Sequence, residues 1–261
     1  MKNLRKHGKA PFAVVVVHGG PGAGGEMAPV ARELASGWGV LEPIQGAASL
    51  EGQVEELRSA IDENGDLPVT LIGFSWGAWL SFVLTANNPA IVRKLILIGS
   101  GPYEEKYAAR IQRTRLSRLS ELERIEVKSL IEVLDDPAAE DKNSALARLG
   151  ALFSRADAYD PIMDDSEAID CRADIFQSVW KDGSELRRSG NLLKLGRQIT
   201  CPVVAIHGDD DPHPAEGVQE PLSAMLRDFR FILLKKCGHK PWIERKAREE
   251  FFRILEEELL Y

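Results

Sequence analysis

Short apolar runs alternate with amphipathic segments along most of the chain. Uninterrupted apolar runs are typical of strands that a parallel sheet buries on both faces, and they occupy residues 12–17, 69–73, 95–99, 202–206 and 231–234, with a shorter strand predicted at 40–43. Apolar side chains recur at helical spacing in residues 27–35, 54–61 and 247–259, while residues 76–87 are apolar almost all round and predict a buried helix. This alternation of strands and helices predicts an α/β fold with a mostly parallel sheet.

The alternation stops between about Tyr103 and Leu195, where the sequence is charged and helical in pattern. Ser120 and Glu123 have the spacing of a capping box that opens a helix. We therefore expect a core formed by residues 1–102 and 196–261, with a helical lid at residues 103–195 inserted between two of its strands. A peripheral helical subdomain with a packing role alone is the alternative.

Composition narrows the class of partner. The chain has 261 residues, of which 44% are hydrophobic and 28% charged, so it can bury a substantial core. Its net charge of −7 disfavours nucleic acid and anionic membrane, since both require a basic surface. No apolar run approaches the roughly 20 residues that a bilayer-spanning helix needs.

The cysteines indicate a reducing compartment. Cys171, Cys201 and Cys237 cannot all pair within one chain, and their spacing matches no metal site. We predict free thiols in a cytoplasmic protein. The basic N-terminal residues followed by residues 13–17 imitate a signal peptide, but the apolar stretch is too short and leads into a glycine-rich turn.

The segment Gly73-Phe74-Ser75-Trp76-Gly77 fits the G-x-S-x-G pattern of a nucleophile elbow. A predicted strand precedes it and a predicted buried helix follows it, which is the context that the motif requires. The small residues on either side allow strand and helix to approach closely around a strained serine. We predict Ser75 as a nucleophile at the carboxyl end of the sheet; a serine that caps an ordinary helix is the alternative.

A second glycine-rich turn, His18-Gly19-Gly20-Pro21-Gly22, follows the first predicted strand. Acyl transfer needs N–H donors where negative charge develops, and each such donor contributes about 2.7–4 kcal/mol. The candidate pair is the backbone N–H of Gly20 and of Trp76. A phosphate-binding loop is the alternative, but neither G-x-G-x-x-G nor a Walker lysine is present. His18 is expected to orient this turn.

A serine nucleophile needs a histidine base and an orienting carboxylate. His239 follows the last predicted strand, which gives the order serine, acid, histidine, and His213 is the reserve candidate. The acid is sought in Gly208-Asp209-Asp210-Asp211-Pro212, after the penultimate strand. We expect one aspartate to turn towards His239 while the others face solvent or cap the turn. The pattern does not choose among them, and no EF-hand spacing supports a metal-binding turn.

Together these motifs resemble the α/β-hydrolase superfamily over residues 10–102 and 198–260. The resemblance implies an α/β-hydrolase fold and selects Asp211 as the acid, with Asp210 as the fallback. The HGGPG turn and the Ser75-Trp76-Gly77 segment are most similar to the proline iminopeptidase group. This chain differs in reading Gly-Phe-Ser at the elbow and in beginning close to the first sheet strand, so the group's amino-terminal hairpin is expected to be missing.

Aminopeptidases of that group hold the substrate ammonium with acidic lid residues, and the candidates here are Glu104, Glu105, Asp160, Asp164 and Asp165. Haloalkane dehalogenases also resemble the chain, but their nucleophile is an aspartate. A missing hairpin would leave a sheet edge uncovered. We expect that edge to be shielded by the charged N-terminal tail or by a partner subunit, which would make the protein a homodimer.

The sequence thus predicts a serine hydrolase for a small ester, amide or short peptide, with Phe74 and Trp180 in contact with the substrate. Trp79 is expected to pack in the core. No metal and no organic cofactor is expected. Two alternatives stay open: an N-terminal aminopeptidase of the proline iminopeptidase kind, and a ligand-binding protein that has kept the fold without catalysis.

Overall fold

The computed structural model describes residues 3–162 and 170–260. The strands are β1 (Leu4–His7), β2 (Val14–Val17), β3 (Ala23–Gly24), β4 (Val40–Pro43), β5 (Val69–Phe74), β6 (Val92–Ile98), β7 (Asp170–Cys171), β8 (Val203–Gly208) and β9 (Phe229–Leu234). Within the described ranges, seven strands form the main sheet in the order β1-β4-β2-β5-β6-β8-β9, while β3 and β7 pair separately. Only β1 runs antiparallel to its neighbour in the main sheet, which confirms the predicted α/β-hydrolase fold.

Helices cover both faces of the main sheet. They are α1 (Ala28–Leu34), α2 (Leu50–Asn64), α3 (Trp76–Asn87), α4 (Glu105–Ser117), α5 (Glu121–Asp135), α6 (Lys142–Ala156), α7 (Ala173–Arg188), α8 (Asn191–Leu195), α9 (Glu216–Met225) and α10 (Arg248–Leu260). One apolar cluster lies on the side of α2, α3 and α9, and a second lies on the side of α1 and α10. The central strands β2 and β5 are buried along their whole length, because both their faces pack on helices.

The N-terminal segment forms a strand that the hydrophobic pattern did not predict. Leu4–His7 pairs antiparallel with Val40–Pro43, and Nε2 of His7 lies 2.8 Å from Oε2 of the buried Glu42. This strand was missed because its charged sequence lacks apolar alternation. A charged edge strand of this kind disfavours further strand addition. The β4 edge is therefore shielded by the tail, one of the two arrangements expected.

Helices α4 to α8 lie between β6 and β8 and are here called the helical insertion (residues 103–195). They enclose an apolar cluster of their own around Leu119, Val127 and Leu149. The predicted capping box is present at the start of α5, where Ser120 and Glu123 satisfy each other's backbone N–H groups. None of the helices in the described ranges combines the length and apolarity needed to cross a membrane.

Candidate active site

Ser75 lies between the end of β5 and the start of α3 in a strained conformation, with φ of 52° and ψ of −112°. A positive φ is uncommon for a residue with a side chain. The backbone strain that it causes is found mainly at functional sites. The glycines on either side permit the turn. A Cβ added to Gly73 would lie 2.3 Å from the carbonyl oxygen of Gly77, and one added to Gly77 would lie 2.4 Å from that of His18. The close approach projects the Ser75 hydroxyl from the carboxyl end of the sheet.

His239 follows β9 and faces Ser75. Its Nε2 lies 3.1 Å from Oγ of Ser75, and its Nδ1 lies 2.7 Å from Oδ2 of Asp211. Because an ionised carboxylate can only accept, Nδ1 carries the proton and Nε2 is free to accept from the serine hydroxyl. The structure thus brings the three predicted residues, from the ends of three different strands, into one hydrogen-bonded chain.

The three consecutive aspartates have different surroundings. The carboxylate of Asp211 is fully buried among histidines. Oδ2 of Asp210 pairs with Arg118 at 3.1 Å and is partly exposed. Asp209 accepts from the backbone N–H of Cys237 at 3.3 Å, which caps the turn. The geometry therefore favours Asp211 over Asp210 as the partner of His239.

Asp211 faces three histidines. Oδ1 accepts from both the backbone N–H and Nδ1 of His213, at 2.8 and 2.9 Å, and Nε2 of His207 lies 3.4 Å from Oδ2. Burial raises the pKa of the Asp211 carboxyl, but the neighbouring His239, His213 and His207 outweigh it and hold that pKa well below its usual range. Asp211 therefore stays ionised. His213, the reserve candidate for the base, binds the opposite oxygen of the same carboxylate rather than the serine.

The side chains of Asp211, His213 and His239 are of the types that bind metals, and their ligand atoms lie within 4.8 Å of one another. The two imidazole rings, however, stack with only 20° between their planes. Each Nδ1 is aimed at its own carboxylate oxygen instead of a shared point. This geometry favours a hydrogen-bonded cluster over a metal centre.

The turn at residues 18–22 lies beside the start of α3, because Gly77 packs against the backbone at the end of β2. Nδ1 of His18 donates to the carbonyl of Gly19 at 2.7 Å, and burial lowers the pKa of this histidine. A neutral, internally bonded His18 fits its expected role in orienting the turn. Gly20 has φ of 41°, a conformation that favours glycine. As oxyanion donors, Gly20 and Trp76 remain predictions.

A small pocket adjoins Ser75 at the boundary between the sheet and the helical insertion. Its lining includes Trp76, Trp79, Trp180, Arg187 and His213. The ring of Trp180 stacks on that of Trp79 at 6.0 Å. Trp79 packs in the core as expected, at 2% exposure, and also contributes to the pocket wall. The cavity volume is only about 20 Å³, room for about one water molecule.

Two aromatic residues expected to contact the substrate have different positions. Trp180 lines the pocket and is 39% exposed. Phe74 is buried, with its ring 4.8 Å from that of His239 and 4.7 Å from that of Trp242. We therefore revise the role of Phe74 from substrate contact to support of the His239 imidazole.

Arg187 is the pocket residue that sequence reasoning missed. Its Nε donates to Glu105 at 2.8 Å, and its guanidinium lies 5.4 Å from the ring centre of Trp79. The side chain is only 9% exposed. Arginines are frequent in this charged part of the sequence, so no local signal separated this buried one from its exposed neighbours.

Comparisons with known proteins agree with the fold. The family model described as "Alpha/beta hydrolase family" matches residues 14–254. The chain is 26% identical over 270 residues to a 2-hydroxy-6-oxononadienedioate/2-hydroxy-6-oxononatrienedioate hydrolase of Cupriavidus pinatubonensis, covering 95% of this chain and 86% of that protein.

Solved structures show the same architecture. The chain is similar to the crystal structure of VinJ with a TM-score of 0.69 and 20% identity, over 98% of this chain and 93% of that one. It is similar to E-2-(acetamidomethylene)succinate hydrolase with a TM-score of 0.65 and 15% identity, over 97% and 93% of the two chains. At these identities the likeness concerns the fold.

Proposed function

The chain belongs to the alpha/beta hydrolase family, and on that basis we propose that it is a serine hydrolase that cleaves an ester or amide bond. The observation that carries the proposal is the chain of hydrogen bonds from Ser75 through His239 to Asp211, at 3.1 and 2.7 Å. A nucleophile within reach of a base, itself oriented by a carboxylate, is the arrangement that acyl transfer requires.

In the proposed reaction, Oγ of Ser75 attacks the carbonyl carbon while Nε2 of His239 takes its proton. Asp211 holds the imidazole in the Nδ1–H tautomer and stabilises the imidazolium. The N–H groups of Gly20 and Trp76 bind the oxygen on which negative charge develops. His239 then protonates the leaving group. A water molecule, deprotonated by the same histidine, releases the acyl group as a carboxylic acid and restores Ser75.

The ionised state of Asp211 supports this division of roles. A carboxylate that stays charged at neutral pH favours the imidazolium formed during attack, which lowers the barrier to proton transfer from Ser75. His18 cannot replace His239 as base, because its Nδ1 is bonded to Gly19 and its Nε2 accepts from the backbone of Gln45 at 3.4 Å.

A second candidate narrows the substrate to acyl compounds that carry a carboxylate. Arg187 places a buried cation in the pocket wall beside Ser75, and an arginine binds carboxylates with two parallel hydrogen bonds. The relative from Cupriavidus pinatubonensis is named for a dioate substrate. Glu105 pairs with Arg187 and is itself 53% exposed, so a substrate carboxylate would compete with a partly solvated partner.

The aminopeptidase alternative finds less support. Among the described residues, Glu104 pairs with Lys106, Glu105 with Arg187 and Asp160 with Arg245. None of these three carboxylates lines the pocket beside Ser75, so none is placed to hold a substrate ammonium there. Asp164 and Asp165 lie outside the described residues. Hydrolysis of prolyl or alanyl arylamides, with no hydrolysis of acyl esters, would move this alternative ahead of the esterase.

The experiment that tests the proposal is covalent labelling of the purified protein with a fluorophosphonate, followed by intact-protein mass spectrometry. We expect one adduct on the wild type, none on Ser75→Ala and a much slower reaction of His239→Ala. Ser100→Ala is the matched control, since Ser100 lies just beyond the adjacent strand and bonds to the Gly101 carbonyl. It should label at the wild-type rate.

An unlabelled but folded wild type would reject the serine hydrolase and favour the non-catalytic ligand-binding protein. Labelling that persists in Ser75→Ala would place the reactive group elsewhere. Circular dichroism of each variant separates a loss of reactivity from a loss of fold.

A further inference from the structure

His213 adjoins the reaction centre without belonging to the chain of hydrogen bonds that activates Ser75. Its ring stacks on that of His239, with 4.3 Å between ring centroids. It also lines the pocket that contains Ser75. The side chain is only 8% exposed, but Nε2 is not among the buried polar atoms that lack a partner, so this nitrogen is accessible from the pocket.

The hydrogen bonds of His213 determine which nitrogen carries the proton. Nδ1 lies 2.9 Å from Oδ1 of Asp211, and that carboxylate can only accept. Burial lowers the pKa of His213, the charge of His239 lowers it further, and Asp211 opposes both; the resulting pKa is about 4. At neutral pH the ring is therefore uncharged, with its proton on Nδ1. Its Nε2 is a hydrogen-bond acceptor.

Nε2 is on the edge of the ring that is turned away from Asp211. In the described part of the chain no hydrogen bond to this atom is formed, whereas the backbone carbonyl of His213 is bonded to His207 at 2.7 Å. Two indole N–H groups of the neighbouring aromatic wall are already bonded elsewhere. The indole N–H of Trp76 is bonded to Gln53, and that of Trp79 to the carbonyl of Gly101, each at 3.0 Å.

We propose that His213 determines substrate specificity: its Nε2 accepts a hydrogen bond from a hydroxyl group that the substrate carries close to the scissile carbonyl. The preferred substrates are therefore hydroxyacyl compounds rather than their unsubstituted analogues. This inference rests on the serine hydrolase proposed above, since it concerns the same pocket. A site that hydrogen-bonds a substrate hydroxyl favours that substrate over an analogue that lacks the group, because the analogue cannot make the bond to Nε2.

A positioning role is the competing explanation, since His213 also holds the carboxylate that orients His239. Two substitutions separate the roles. His213→Asn keeps an N–H near the position of Nδ1, so the bond to Asp211 is retained, but it has no atom at the position of Nε2. His213→Gln carries a carbonyl oxygen near the position of Nε2 but loses the donor to Asp211. His213→Asn therefore removes the proposed acceptor for the substrate, and His213→Gln removes the hydrogen bond from the side chain to Asp211.

The test compares phenyl 2-hydroxybutanoate and phenyl 3-hydroxybutanoate with phenyl butanoate. For the wild type we expect kcat/KM to be about tenfold higher for at least one hydroxylated ester. His213→Asn should reduce that ratio to near one. His213→Gln should lower kcat for all three esters while keeping much of the ratio. A purely positioning role predicts equal losses on all three esters in both variants.

Binding to Ser75→Ala gives a readout that does not depend on turnover. Trp180 and Trp79 line the pocket, so quenching of tryptophan fluorescence reports ester affinity. The hydroxylated ester should bind about tenfold more tightly to Ser75→Ala, and about equally with phenyl butanoate once His213→Asn is added. Equal affinity in Ser75→Ala, or a preference that survives His213→Asn, overturns the inference. Failure of fluorophosphonate labelling would reject the serine hydrolase by a separate measurement.

Discussion

The carboxylate of Glu244 accepts a hydrogen bond from the backbone N–H of Gly238, the residue directly before His239, at 3.0 Å. Glu244 is completely buried. The same carboxylate accepts from the N–H groups of Tyr159 and Asp160, both at 2.8 Å, in the segment that leaves α6. One side chain therefore ties the loop that carries the candidate base to the helical insertion.

Replacing Glu244 with Gln should impair both stability and reactivity. An amide keeps one acceptor oxygen and turns an NH2 group towards a backbone N–H, which leaves a buried donor unpaired at about 1–3 kcal/mol. We expect the Tm to fall by several degrees, about 2–4 °C per kcal/mol for a chain of this size. Fluorophosphonate labelling should slow as the His239 loop loosens.

Glu257→Gln is the matched control for this change, because Glu257 pairs with Arg253 on the exposed face of α10. It should shift the free energy of unfolding by less than about 0.5 kcal/mol. Equal effects of the two substitutions would show that the buried carboxylate has no special role in holding the loop.

Asp211→Asn should lower kcat by about a thousandfold to ten-thousandfold. The amide can present its NH2 group to His239, which favours the wrong imidazole tautomer and removes the charge that stabilises the imidazolium. Asp210→Asn removes only a partly exposed pair with Arg118, and such pairs contribute about 0–1 kcal/mol. Steady-state hydrolysis of a phenyl ester compares the two variants. A larger loss of kcat in Asp210→Asn would show that Asp210, and not Asp211, is the acid.

Stability should fall as the pH drops from about 6.5 to about 4. The pKa of His213 is about 4 in the folded chain, against 6.5 when solvated, so unfolding takes up a proton in this interval. The contribution of the neutral His213 to the free energy of unfolding is fully present above pH 6.5. It decreases by up to about 3 kcal/mol as the pH approaches 4. The lowered pKa of His18 acts in the same direction. Asp211 stays ionised throughout this interval.

Urea unfolding at several pH values measures this dependence. The slope of the free energy of unfolding against pH gives the number of protons taken up on unfolding. Between pH 4 and 6.5, His213→Asn should reduce this number by up to one, because the variant lacks the imidazole. Identical slopes in the wild type and in the variant would show that His213 is not held neutral by its surroundings.

Arg187→Met should abolish any preference for substrates that carry a carboxylate. A charge-assisted hydrogen bond contributes about 1.5–3 kcal/mol, so kcat/KM for a carboxylate-bearing ester should drop about tenfold to a hundredfold relative to its neutral methyl ester. Arg188→Met is the control, since Arg188 pairs with Glu185 on the surface. A wild type that favours the neutral ester would argue against the acidic-substrate candidate.

The sequence predicted the main sheet because its central strands are buried on both faces. Val14–Val17 and Val69–Phe74 consist mainly of apolar residues that need no alternation to be recognised. β1 gave no such signal: Leu4–His7 is an edge strand whose side chains are partly solvated. Its place in the sheet depends on pairing with β4, a long-range contact that local pattern does not encode.

The candidate site was predictable where a local motif places its residue. The glycines around Ser75 and the turn before His239 are such motifs. The place of His213 against His239 and the buried carboxylate of Glu244 were not predicted, because both depend on contacts between segments far apart in the sequence. Glu244 lies in a charged stretch near the C-terminus that resembles an exposed surface.

The long insertion between β6 and β8 also separates the halves of the main sheet during synthesis. Strands β1 to β6 have been synthesised by Ile98, whereas β8 begins at Val203. Until then the edge of β6 that pairs with β8 in the folded protein has no partner strand, and an unpaired strand edge of this kind favours aggregation. His239 arrives later still. In the proposed mechanism, Ser75 therefore stays an unactivated hydroxyl until the segment that carries His239 has been synthesised and has folded onto the sheet.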